Sequence, residues 1–173
     1  MAHIFTLSDA RGLVEAGVDV LGHSIRDSLV NAAFLALMKA KGVVYIPTLT
    51  LDIFATAYGA GAPWINDPFF IHALEPGVYA MLTDTAYSAA VRNSPVYRRN
   101  LQAVETARKN LLLIAQAGIT IVLGTDSGAL PVRTQGFAEH LEMEKMVAAG
   151  MSPAAVLRAA TVNAAAMLDM ASA

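Results

Sequence analysis

The chain has 173 residues, 12 basic and 14 acidic, a formal net charge of -2, and no cysteine. It is 55% hydrophobic and only 15% charged, where soluble domains run near 25% charged, so its length suits one domain and its scant polar surface suggests a piece of something larger. Without cysteine a disulfide scaffold and thiolate metal sites are excluded, which leaves His, Asp and Glu as the strong ligands. The near-neutral charge leaves no electrostatic footprint for nucleic acid; the basic cluster Arg92, Arg98, Arg99, Arg108 and Lys109 reads as a solvated helix face. Asp9, Arg11 and Glu15 interrupt the first apolar stretch before a signal core can form, so the chain as given reads as cytoplasmic. The longest mainly apolar run, Leu111 to Leu123, contains Gln116, Gly118 and Thr120 and falls short of the ~20 residues of a membrane span, so no membrane partner is expected.

In chain order, a truncated strand is expected over Met1 to Phe5, ahead of a helix from Ser8 to Ala16. Gly17 then ends that helix, and Val18 to His23 form a strand. Asp27 is placed as the cap of a helix to Lys41, with Leu29, Val30, Ala33, Leu37 and Ala40 on its sheet-facing stripe. Gly42 stops it, and Val43 to Thr48 follow as a second buried strand. Thr50 to Asn100 is far longer than the ~2 to 6 residues of ordinary βα and αβ loops. Its Phe54, Tyr58, Trp64, Phe69, Phe70, Tyr79, Tyr87 and Tyr97 predict several short helices forming an aromatic cover over the strand ends. Leu101, Val104, Leu111 and Ile114 mark the next helix, which Gly118 ends, and Ile119 to Asp126 are the last strand. Ser152 and Pro153 are an N-cap with proline at the first helical position, opening a helix to about Leu168. Helix, glycine, β-branched strand, repeated in this way, implies parallel strands buried on both faces.

His3, His23 and Asp126 each finish one of these strands. Side chains at the C-terminal ends of parallel strands share one site, and two imidazoles with a carboxylate are ligands that a zinc-like ion accepts. Taken singly, each is as readily a hydrogen-bonded strand end or a helix cap; the case rests on their occurring together. Tyr45 and His140 are the candidate substrate contacts, His72 reads as structural, and Ser127 lacks the Gly-x-Ser-x-Gly elbow of a serine hydrolase. The glycines at 124 and 128 lack the lysine and spacing of a phosphate loop.

In order along the chain stand Ala-His at 2 to 3, Ala-Gly-Val-Asp-Val-Leu-Gly-His at 16 to 23, Val-Tyr-Ile-Pro-Thr-Leu at 44 to 49 and Gly-Thr-Asp-Ser-Gly at 124 to 128. Glu-Lys-Met-Val at 144 to 147, Ala-Gly-Met-Ser-Pro at 149 to 153 and Ala-Ala-Thr-Val-Asn-Ala-Ala at 159 to 165 complete the series. In these segments the sequence resembles the amidohydrolase superfamily, in particular its imidazolonepropionase-like and prolidase-like metal-dependent hydrolases. The resemblance implies an α/β fold, a partial (β/α)8 barrel of about strands five to eight, with residues 1 to 173 as one partial barrel domain and the helical insertion over 50 to 100, after strand seven. It also implies that His3, His23 and Asp126 bind a divalent metal, zinc in the first instance, with one or two ions in the complete enzyme. Asp126 is then the general base toward a metal-activated water, and the substrate is a small molecule with an amide or cyclic amide C–N bond.

The chain departs from the family in what it lacks. Its histidines are at 3, 23, 72 and 140 alone, with no His-x-His pair, and it falls short of the ~250 residues of a full barrel. The family's small β-sandwich, whose return strands would follow Met170, is missing too. The expectation is a barrel's second half, cut at both ends and inactive by itself, which needs the missing N-terminal half or forms a homo-oligomer. The competing reading is a non-catalytic half-barrel that serves as an assembly module, since open strand edges recruit partners.

Overall fold

The structure, a computed structural model, describes residues 1–170. Three short parallel strands, β1 (Ala2–His3), β2 (Val20–Gly22) and β3 (Val44–Ile46), form a sheet in the order β1-β2-β3. His3 stands opposite Gly22, and Gly22 opposite Ile46, so the strand ends are level. Helices α1 (Leu7–Glu15) and α2 (Ala32–Lys41) carry the crossovers. Gly17, Gly42 and Gly118 adopt φ of +92°, +66° and +75°, the left-handed conformation that stops a helix without a Cβ penalty.

One helix start differs from the sequence expectation. The side chain of Asn31, not Asp27, caps α2 by accepting from the Phe34 amide, while Asp27 accepts from the Leu7 amide at the start of α1. Because α2 begins four residues later than expected, its buried face is Phe34 and Met38, and Leu29 is exposed ahead of it. The long helix α7 (Tyr97–Gln116) likewise buries Ala103, Ala107, Asn110, Leu111 and Ile114, leaving Leu101 outside. The single helix expected after Ser152 is two, α9 (Pro153–Ala160) and α10 (Val162–Met167), broken at Thr161.

The strand expected over Ile119 to Asp126 is reduced to one parallel bridge, Tyr45 with Ile121. Tyr45 N donates to Thr120 O and Val122 N to Tyr45 O, after which Leu123 N turns away to Ala159 O in α9 and the Asn163 side chain donates to Ile121 O. The segment lies in the sheet, but its hydrogen bonds go to helices as well as to β3, so it has no continuous ladder.

Between β3 and α7 run α3 (Leu49–Ala60), α4 (Pro68–His72), α5 (Val78–Thr83) and α6 (Thr85–Asn93). The segment forms short helices, and its aromatic residues gather in a cover with a core of its own: Phe54, Tyr58, Phe70, Val78 and Leu82 pack with Phe137 of α8 (Phe137–Ala148). The principal core, around Leu21, Phe34, Tyr45, Leu111 and Met146, is formed by the sheet together with its helices. Among the described residues no helix is long and apolar enough to cross a membrane. The architecture is therefore mixed α/β with a parallel three-stranded sheet.

Candidate active site

At the C-terminal ends of the strands lies a cavity of about 180 Å³ lined by Met1, His3, Gly22, His23, Ile46, Thr48, Gly124, Thr125 and Asp126. All three strand-end candidates thus face one space. His3 Nδ1 and His23 Nε2 are 2.5 Å apart, with ring centroids 4.5 Å apart. The second nitrogen of His23, Nδ1, is 2.9 Å from Thr48 Oγ1, so both edges of this ring are held.

The backbone here is under strain. Among the described residues the non-glycine residues at positive φ are His23 (77°), Thr48 (47°), Asp126 (57°) and Asp169 (56°), and the first three line the cavity. A left-handed conformation is disfavoured for residues with a Cβ and persists only where surrounding contacts enforce it, which is common at functional sites. For His23 the enforcing contact is its amide, which donates to Ile46 O at 2.9 Å.

Burial, and then the adjacent His3, hold His23 below its ordinary pKa, while Asp126 pulls in the opposite direction. A neutral imidazole keeps a lone pair available to a metal or an acidic hydrogen. Asp126 is drawn aside by Arg133, whose Nη1 is 2.7 Å from Asp126 Oδ2. Consistent with that, among the described residues no group of three His, Asp or Glu side chains stands close enough to hold a metal ion. The two imidazoles set two ring nitrogens side by side, and the carboxylate completes the cavity wall without joining them. In donor chemistry the chain fits one portion of a zinc-type site.

The other candidates lie elsewhere. Tyr45 is fully buried in the principal core and does not line the cavity; its hydroxyl accepts from the Ile25 amide at 3.1 Å, and burial pushes its pKa up to about 12. Its place mid-strand, rather than at the strand end, is why a substrate contact expected there becomes a core residue. His140 is exposed on α8, edge-on to the Phe69 ring at 5.4 Å, outside the cavity lining. His72 ends α4 at the surface.

Several residues that organise the site escape a sequence reading. Glu139 accepts from Thr125 Oγ1 and Ser127 Oγ, each at 2.7 Å, and from the Gly136 amide at 2.6 Å. Burial pushes the Glu139 carboxyl up, but the Ser127 and Thr125 hydrogen bonds more than offset it and hold its pKa below the usual value. It thereby clamps the loop on both sides of Asp126. One turn on, Glu142 is 0% exposed and reaches the first turn of α3, accepting from Leu49 N at 2.8 Å and Thr50 N at 2.7 Å. Arg26, three residues after His23, pairs with Asp52 and lies 4.6 Å from the Phe5 ring centroid; burial pulls its pKa below the ordinary value. A usable signal existed for Glu142, which falls four residues from Ala138 and from Met146, inside the apolar stripe of α8.

No family model matches the sequence, and no curated protein matches it. Solved structures do match in fold. A Xaa-Pro dipeptidase with bound methionine in its active site aligns at TM-score 0.66 and 18% identity, over 98% of this chain and 33% of that one. A prolidase complexed with N-methylphosphonate-L-proline aligns at 0.59 and 22%, over 99% and 33%. An amidohydrolase aligns at 0.57 and 22%, over 98% and 32%. The fold is therefore that of part of an amidohydrolase-type structure, in agreement with the resemblance read from the motifs. The chain spans about a third of the length of these structures.

Proposed function

We propose that the chain is the segment carrying about strands five to eight of a (β/α)8 metal-dependent amidohydrolase that cleaves an amide or cyclic amide C–N bond in a small molecule. The carrying observation is that His3 and His23, at the ends of β1 and β2, and Asp126, in the loop that follows the Ile121 bridge, line one cavity in which strained backbone is concentrated. Hydrolase names among the fold neighbours support the same reading.

His3 and His23 would hold a divalent ion of the zinc type through the nitrogens that now face one another, and Asp126 would join them on release from Arg133. When bound, such an ion supplies Lewis acidity to a scissile carbonyl and to water. The chain's own contribution is protonic and geometric. Asp126 Oδ2 receives the proton of the attacking water and returns it to the departing nitrogen. Arg133 holds that carboxylate aside until its release, Glu139 fixes the loop that presents it, and Thr48 sets the rotation of His23. Donors beyond these come from outside this chain, from an N-terminal half or from a second copy.

Zinc and manganese analysis of the purified chain, beside a double variant His23→Ala with Asp126→Asn, tests the reading. Bound metal that the double variant loses supports it and licenses a screen of amides and cyclic amides. Retention of metal by the double variant removes His23 and Asp126 from the site. Metal absent from both means that the site needs its missing half, and that the chain by itself is an inactive fragment or an assembly partner.

A further inference from the structure

We propose that Glu142 is a positioning residue of the site, which caps helix α3 from a distance and so releases the Thr48 hydroxyl to orient His23. The inference rests on the reading of His23 as a site residue.

Thr48 occupies the N-cap of α3. A threonine there ordinarily has extended backbone and turns its hydroxyl onto the amides of the first helical turn. Thr48 does neither: its φ and ψ are 47° and 50°, and it makes no side-chain cap hydrogen bond. Its Oγ1 is instead 2.9 Å from His23 Nδ1. It leaves the amide of Thr50 at the second helical position, and the Leu49 amide before it has no intrahelical partner either; the two residues are 0% and 2% exposed. Buried donors of that kind need an acceptor. Both oxygens of Glu142 provide it, Oε1 to Leu49 and Oε2 to Thr50, across more than ninety residues of sequence.

The two arrangements compete. Without the carboxylate, the acceptor that a threonine N-cap ordinarily supplies to the first turn of α3 is its own hydroxyl, and a return to ordinary capping breaks its contact with His23. Glu142 thus acts on His23 through Thr48, without touching the cavity. Thr50 gives a second link, its Oγ1 lying 3.4 Å from the Thr125 carbonyl oxygen, one residue before Asp126.

The experiment is nitrogen-15 NMR of the His23 imidazole in the full chain, comparing wild type, Glu142→Gln, Thr48→Val and their double variant. Met146→Val, a fully buried change on the same helix, controls for general loosening. Glu142→Gln and Thr48→Val are expected to shift the His23 Nδ1 resonance in the same direction, with no additional shift in the double variant, and Met146→Val to leave it in place. Zinc affinity, titrated with the ion alone, is expected to fall about 10- to 100-fold in both single variants, the usual cost of losing an outer contact to a metal-binding histidine. Glu142→Gln moving His23 no further than Met146→Val, or additive shifts in the double variant, overturns the proposal. If Glu142→Gln does not fold, Glu142→Asp, which shortens the reach by one methylene, is held to the same criterion. A wild type that takes up no zinc leaves the donors of the functional reading incomplete in this chain, while the resonance shifts still decide the relay.

Discussion

Glu142→Gln makes a quantitative test of what the fold imposes on a buried carboxyl. Burial pushes the Glu142 pKa from 4.5 up to about 7, opposed by the amides of Thr50 and Leu49 and assisted by the charge of Glu139; the hydroxyl of buried Tyr45 also feels its charge. A carboxyl whose pKa is higher folded than unfolded stabilises the folded state below the unfolded pKa, and the contribution is lost as pH rises through the folded value. A rise from 4.5 to about 7, at about 1.36 kcal/mol per unit, amounts to roughly 3 kcal/mol between pH ~4.5 and pH ~8. Glutamine does not titrate and keeps one acceptor, so at low pH the variant loses mainly one buried hydrogen bond, about 1 to 3 kcal/mol. Urea unfolding at several pH values, followed by far-ultraviolet circular dichroism, measures the stability gap between the two proteins, in which the other titrating groups cancel. Wild type is expected to lead at pH 5, with the gap shrinking by up to about 3 kcal/mol by pH 8.5. A gap that widens as pH rises refutes the argument, because it means that the helix amides outweigh burial and hold Glu142 ionised.

Asn110→Ala removes the side chain that accepts from Val30 N and donates to the Ile25 and Ser28 carbonyls. Three backbone groups are orphaned and a loss of about 3 kcal/mol or more is expected in urea unfolding, a loss below about 1 kcal/mol counting against the pinning role. Gly124→Ala puts a Cβ 2.5 Å from Ile46 Cγ2 beside the cavity; the Ile46 side chain or the loop must give way, at about 1 to 3 kcal/mol, with weaker zinc retention as the second readout. Phe70→Ala, at the centre of the aromatic cover with Phe137 5.0 Å away, is expected to cost about 3 to 5 kcal/mol. Trp64 is the single tryptophan and lies in this cover, so its fluorescence should report loosening before the circular dichroism of the whole chain does; coincident transitions would show that cover and sheet unfold as one.

The parallel core was legible because its determinants are local: a glycine that can enter the left-handed region, then a β-branched run too apolar to face water. The same logic placed His3 and His23 at strand ends, and they share a cavity with Asp126, which lies in a loop past the last bridge. Helix starts were legible only to within a turn. Both Asp27 and Asn31 are capping residues by type, and the choice between them was settled by the Leu7 amide, which takes Asp27 from another element. The last strand failed for a different reason, since its β propensity is real but α9 and α10 take part of its hydrogen bonding at Leu123 and Ile121.

What the sequence could not convey is which polar groups exchange partners over long separations. Thr48 looks like an ordinary N-cap, and by its position it is one; only the carboxylate more than ninety residues on shows that its hydroxyl has been released for other use. Glu139 and Glu142, three residues apart on α8, read locally as helix-face acids, yet one clamps the loop bearing Asp126 and the other the helix bearing Thr48. Displacing α8 would therefore move the carboxylate and the imidazole arms of the cavity together. A site shared between separate strand ends requires some such common brace, since strands of two or three residues carry too few ladder hydrogen bonds to hold their ends in mutual register alone.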